Sequence, residues 1–313
     1  MNDKKPTSSI IEGQAGLGAV SRPLVVGIGE LLWDLLPDGK QMGGAPANFA
    51  YHARALGAAS VIVSAVGDDR SGREILEELS RRGLERSGIA VVSDAPTGTV
   101  TVALDAGGIP HYTIHEGVAW DVSPWTAGLG DLAARADAVC FGSLAQRSPV
   151  SRATIGAFLD ATRPDCLRVL DLNLRQSYFS HDIVRGLLGR STILKLNEDE
   201  LGTVAELLSL PGPETRVLAG LLEAFPLALI ALTKGRAGSR LYGRDVDLST
   251  PGHSVKTADT VGAGDAFTAT LVAGLLKKRS WEEIGERANR IAGYVCSRKG
   301  AWPDLPAELS SWP

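Results

Sequence analysis

The sequence predicts an α/β protein with a mostly parallel central sheet, helices on both faces and a small β-sheet lid. Three observations predict it. Short apolar runs recur along the chain and end in glycine or a polar residue. Helix-patterned stretches lie between several of them. One segment breaks that alternation with a pattern suited to a β hairpin. Strand and helix in repetition argue for parallel strands buried on both faces.

Taken in order, residues 1–22 are polar and rich in Gly and Ser, and read as a flexible tail before a domain spanning 23–313. They lack the compact apolar stretch of a signal peptide. The first strand is Leu24 to Ile28, within "PLVVGIGELLWDLLP". Comparable runs are "VIVSAVG" from Val61, "AVCFGS" from Ala138, "RVLDLN" from Arg168, "TILKLN" from Thr192 and "LALIALTKG" from Leu227. "APANFAYHARALG", "SGREILEELSRRG" and "SRATIGAFLDATR" carry helical patterns between them. From Pro96 to Asp121 the helical period disappears. Thr99 to Asp105 alternates, "AGGIP" is a turn, and "HYTIH" is a second strand. With the loop after Asp34, this insert predicts a lid from segments of about 33–46 and 94–121. Ligands of such sheets sit at the carboxyl ends of the strands, where a lid would cover them.

Composition narrows the function. The 313 residues carry a formal net charge of −4, with no basic footprint for nucleic acid. No run of about 18 apolar residues predicts a membrane-spanning helix. Cys140, Cys166 and Cys296 are odd in number and widely spaced, as in a reduced, cytoplasmic protein, and they offer no metal-site spacing.

The chemistry concentrates in "DTVGAGDAF", Asp259 to Phe267. A helix is predicted from Ala266 to Lys277. Free amides at its N-terminus favour an anion, and Gly262 and Gly264 allow close backbone approach. A carboxylate beside an anion cradle repels a resting phosphate but can take a proton from an attacking hydroxyl. That describes phosphoryl transfer to an alcohol, with Asp265 as base. A plain helix cap is the other reading of Asp265. No G-x-x-x-x-G-K-S/T loop is present. Gly27 and Gly29 begin a dinucleotide fingerprint, but Leu32 stands where its third glycine belongs.

"DTVGAGDAF" resembles the C-terminal signature of the ribokinase-like (PfkB-type) carbohydrate kinases. "GGAPANFAYHARALG", Gly43 to Gly57, resembles their N-terminal signature, and "VGDDRSG" the segment that follows it. The resemblance runs from about Leu24 to Pro306. It implies a ribokinase-like three-layer fold and an ATP-dependent sugar kinase. It also implies Asp265 as catalytic base and the amides of Gly262, Ala263 and Gly264 as an anion hole. Asp34, Gly43, Gly44 and Asn48 match sugar contacts, and Asn173 and Arg175 resemble substrate or phosphate contacts. Asn197 and Glu200 match an N-x-x-E element acting through water on the Mg²⁺ of ATP; Glu198, Asp199 and Glu200 also suit an acidic cluster at a helix N-terminus. Thr233, Gly235 and Gly238 resemble the nucleotide-side loop, and Asn289 an adenine contact. Asp259, with the backbone near Gly300, matches a monovalent-cation (K⁺) site of some members.

"GELLWD", "EGVAWD", "FGSLAQR" and "DLNLR" resemble the bacterial fructokinase branch, which implies transfer to the 6-hydroxyl of fructose. Ribose, 2-keto-3-deoxygluconate and adenosine are acceptors of neighbouring branches. Adenosine calls for an aromatic pair, for which Trp33 and Tyr112 are candidates; Trp120 and Phe179 are candidates to shape a sugar pocket. A non-catalytic sugar-binding protein is the other class, and the presence of Asp265 in its cradle argues against it. Exposed lid edges predict a homodimer.

Overall fold

A computed structural model describes residues 22–104 and 110–312. In chain order the elements are β1 (Leu24–Ile28), β2 (Leu32–Leu36), β3 (Gly39–Gly43), α1 (Ala45–Ala55), β4 (Ala59–Gly67), α2 (Arg70–Arg81), β5 (Ile89–Val92), β6 (Gly98–Leu104) and β7 (Pro110–Ile114). There follow α3 (Ala127–Arg135), β8 (Ala138–Phe141), α4 (Pro149–Asp160), β9 (Leu167–Asp171), α5 (His181–Leu188), β10 (Ile193–Asn197), α6 (Glu198–Leu207), α7 (Glu214–Ala224) and β11 (Leu229–Thr233). The chain closes with β12 (Ser239–Gly243), β13 (Asp247–Thr250), α8 (Ala263–Leu276), α9 (Trp281–Cys296) and α10 (Ala307–Ser310).

The main sheet has the order β13-β12-β11-β10-β9-β8-β1-β4-β5. It is parallel from β11 to β5, and β12 and β13 are antiparallel. Alternation of side chains explains the two covered faces. Val26, Val139 and Leu170 pack into the core beneath α3 to α7. Their neighbours Val25, Cys140 and Val169 face the opposite way, towards α1, α8 and α9. Both faces are apolar, so these strands appear in the sequence as continuous apolar runs.

A separate sheet of order β3-β2-β6-β7 forms the lid. β2 pairs parallel with β6, and β3 and β7 flank them antiparallel. The predicted lid boundaries contract. Ala45 and Pro46 already belong to α1, and Ala119–Val122 form a 3₁₀ turn whose Trp120 is buried in the main core. Most of the "AGGIP" turn, and the predicted tail apart from Arg22, lie outside the described residues. Among the described residues, no helix is long and apolar enough to cross a membrane.

Candidate active site

The carboxyl ends of β1, β9, β10 and β11 open onto one cavity of about 700 Å³ between sheet and lid. Each strand delivers a polar residue to it: Glu30 after β1, Asn173 and Arg175 after β9, Asn197 at the end of β10, Thr233 at the end of β11. The lid contributes Asp34, Val100, Tyr112 and Ile114. The first turn of α8 contributes Gly262, Gly264 and Asp265.

α8 begins earlier than the sequence pattern indicates. Its first residue is Ala263, so Asp265 sits inside the first turn, and Gly262 is the cap. The simple cap reading of Asp265 is thereby corrected. Gly262 is left-handed (φ 79°), and a Cβ there would lie 2.7 Å from Ala301. That close approach requires glycine. The first amides of a helix lack intrahelical acceptors, so this turn presents donors to the cavity. Ala263 differs from its neighbours: its N–H reaches back to Thr260 O at 3.4 Å.

Asp265 is buried, and Asn48 Nδ2 donates to its Oδ2 at 2.7 Å. Burial, then the nearby Asp171 carboxylate, push Asp265 up to about 6, against the pull of Asn48, Lys195 and Arg175. A carboxylate with that value is ionised at neutral pH and still basic enough to accept a proton.

Lys195 and Asp171 were not singled out in the sequence. They are register neighbours on β10 and β9, and Lys195 Nζ lies 3.0 Å from Asp171 Oδ1. Thr268 of α8 donates to Asp171 Oδ2 at 2.8 Å. Lys195 is buried yet lines the cavity. A Cβ on Gly264 would lie 2.8 Å from its Nζ, so the ammonium stands against the anion cradle. Burial disfavours its charge, but Asp171, Glu200 and Asp265 outweigh burial and raise its pKa. "LKLN" shows only an apolar strand with one lysine, and no sequence signal marks that lysine as inward-facing.

Glu30 was also missed. Its Oε1 accepts from Ala45 N at 3.1 Å, tying the β1 exit to the start of α1, and Oε2 has no partner among the described residues. Gly44 makes this packing possible: it has φ 108°, and a Cβ there would lie 2.3 Å from Glu30 O. Burial pushes Glu30 up to about 7. The folded chain therefore keeps a proton that the unfolded chain releases above about 4.5. Stability is full below that value and lost as pH rises through about 7. Glu30→Gln, always neutral, should gain more Tm over the parent at pH 8 than at pH 5. An equal difference at both pH values would show that Glu30 does not titrate in this window.

Asp34 lies on β2, and a Cβ on Gly43 would meet its Oδ2 at 2.4 Å. Burial, then Asp259, raise Asp34 to about 6, and Arg175 opposes them. Asn173 is left-handed (φ 47°), a conformation asparagine tolerates. Asn197 and Glu200 form a reciprocal cap: Glu200 N donates to Asn197 Oδ1 and Asn197 N to Glu200 Oε2, both at 2.9 Å. Glu200 Oε1 also accepts from Leu174 N at 3.0 Å. Both residues line the cavity with further lone pairs, which fits contact with the water shell of Mg²⁺. Among the described residues, no cluster of three or more His, Cys, Asp or Glu could hold a metal directly.

Other candidates fall outside the cavity lining. Asn289 Nδ2 donates to Thr250 O and Pro251 O, at 3.0 and 3.1 Å, and so pins the loop after β13. Gly235 and Gly238 shape the turn between β11 and β12. Asp259 accepts from Val261 N and Gly300 N, both at 3.0 Å, and so joins the two loops that flank α8 and α9. The aromatic pair does not assemble. Tyr112 lines the cavity, but Trp33 is buried behind the lid and donates to Ser71 O at 3.1 Å. Trp120 packs under Arg147, and Phe179 packs on the main core.

A carboxylate in the first turn of a helix, a buried cation beside it and a covering lid can move a phosphoryl group. A family model described as "pfkB family carbohydrate kinase" matches residues 38–308. The chain belongs to this family. As a pfkB carbohydrate kinase it is a phosphotransferase acting on a sugar hydroxyl. It is 32% identical to a fructokinase of Klebsiella pneumoniae, over 89% of this chain and 95% of that protein. It is 31% identical to a sugar kinase of Pyrococcus horikoshii, over 89% and 92%. The structure of that kinase in complex with ATP superposes with a TM-score of 0.75 at 29% identity, covering 89% of this chain and 94% of that one. The ribokinase-like fold recurs in a fructokinase of Xylella fastidiosa, with a TM-score of 0.82 at 20% identity over 92% and 96% of the two chains.

Proposed function

We propose that this kinase transfers the γ-phosphoryl of ATP to the 6-hydroxyl of fructose, with Asp265 as the base. The observation that carries the proposal is Asp265 itself, ionisable near pH 6 in the first turn of α8, with Lys195 against the same cradle. The hydroxyl proton passes to Asp265 as the oxygen attacks in line. The amides of the turn and Lys195 offset the charge of the phosphoryl in flight, which is usually the larger catalytic contribution. Asn197 and Glu200 would hold Mg²⁺–ATP through water, and the cation would neutralise phosphate charge. ATP is supported by its presence in the Pyrococcus horikoshii kinase.

Fructose is supported by the Klebsiella pneumoniae relative and by the charge of the cavity. Glu30, Asp34, Glu200 and Asp265 line it against Arg175 and Lys195. Surplus carboxylates suit a neutral polyol, whose hydroxyls they accept, and oppose a sugar acid or a phosphosugar. Asp34 and the unpartnered Glu30 Oε2 are the acceptors for fructose hydroxyls, and lid closure excludes water as a competing acceptor.

The test is kcat/KM for fructose, ribose, 2-keto-3-deoxygluconate and adenosine. Fructose should lead by at least about tenfold, the low end of what one missing or extra group costs in a substrate pocket. A larger value for another acceptor would move the pocket assignment.

A further inference from the structure

The base does not stand alone. Asn48 is buried in the first turns of α1 between two partners. On one side its Nδ2 lies 2.7 Å from Asp265 Oδ2. On the other, Trp302 Nε1 lies 2.6 Å from its Oδ1. An indole N–H can only donate. The atom facing Trp302 must therefore be the amide oxygen, which turns the amide N–H towards Asp265. A flipped amide would set donor against donor at Trp302 and oxygen against carboxylate at Asp265.

Trp302 is itself held. Its ring stacks on Tyr51, with centroids 4.7 Å apart and planes at 11°. Its carbonyl accepts from Arg82 Nη1 at 3.2 Å. Ala301, one residue before, is bound by His52, one helical turn after Asn48. Burial lowers His52 to about 4, so the ring is neutral and its Nε2–H donates to Ala301 O at 2.9 Å. Asn48 and His52 thus fasten the 301–302 loop to one face of α1.

We propose that Trp302 is a positioning residue: by fixing the Asn48 amide it keeps an N–H donor on Asp265. The inference rests on Asp265 being the base. The other titratable groups around Asp265 are Asp171 on β9, Lys195 on β10, Arg175 in the loop after β9, Glu30 after β1 and the buried thiol of Cys140 on β8. Trp302→Phe alters none of them, and the smaller ring can still stack on Tyr51. It removes one donor, so Asn48 is free to turn its N–H elsewhere. A hydrogen bond to the charged form is what holds a carboxyl down, so its loss pushes Asp265 up.

The experiment is a double-mutant cycle of Trp302→Phe and Asn48→Ala, read as the pH profile of kcat with fructose. It is paired with ¹³C-carboxyl NMR titration of Asp265 in the ligand-free protein. Trp302→Phe should move the acid limb and the titration upward by about one unit, equivalent to a loss of about fivefold at pH 6, approaching tenfold at lower pH, that recovers by pH 8. In the Asn48→Ala background the same substitution should add nothing. An unmoved limb with only a lowered Tm would overturn the inference and leave Trp302 as packing. Equal shifts in both backgrounds would overturn it too, because Trp302 would then act without Asn48. The titration needs no turnover, so it judges the relay even where Asp265 proves not to be the base.

Discussion

Asp265→Asn should lower kcat by about 10²–10⁴-fold, the usual contribution of a positioned base, while the affinities for sugar and ATP stay within a few-fold. The side chain keeps its size, and its amide oxygen can still accept from Asn48 Nδ2. What disappears is the proton acceptor. The parent enzyme should show a rate that rises with pH through about 6, because the base acts only when ionised. The Asn variant should lose that limb. It should also be the more stable protein at pH 8, because a buried charge beside Asp171 has gone. Near-normal kcat, measured by ADP release at saturating substrates, would remove Asp265 from the chemistry.

Lys195→Met should cost about 10²–10³-fold in kcat/KM, the range for losing one electrostatic contact in the transition state. It should also destabilise the fold by about 3–5 kcal/mol, because Asp171 would be left charged and unpaired in the interior. Two effects of one substitution need separating. Asp171→Asn with Lys195→Met removes both charges and leaves an oxygen to accept from Thr268. Denaturant unfolding should show most of the stability restored in the pair, while kcat/KM stays low. Recovery of activity along with stability would make the Lys195–Asp171 pair purely structural.

Much of this architecture was legible because the sheet is parallel. Strands β1, β4, β8, β9, β10 and β11 are buried on both faces and announce themselves as apolar runs. Strands β12 and β13 at one edge and β5 at the other are only partly buried and escaped notice. The start of α8 was placed too late because Gly and Ala hide a helical period, whereas the free amides make that turn useful. Signature residues such as Asp34, Asn48, Asn197 and Asp265 do meet in one cavity. Lys195 and Glu30 could not be found from pattern, since their importance lies in the direction a strand or turn gives them. Asn289 shows a second kind of role that pattern does not convey: its amide serves the backbone of the loop after β13.

The most direct measurement is ADP formation by the wild-type protein with Mg²⁺–ATP, with and without fructose, and with the product examined by ³¹P NMR. Fructose-dependent ADP release, matched by a new phosphomonoester on the 6-position, is the expected result. ADP release that ignores fructose, or that yields no sugar phosphate, would contradict the assignment of this cavity to phosphoryl transfer onto fructose.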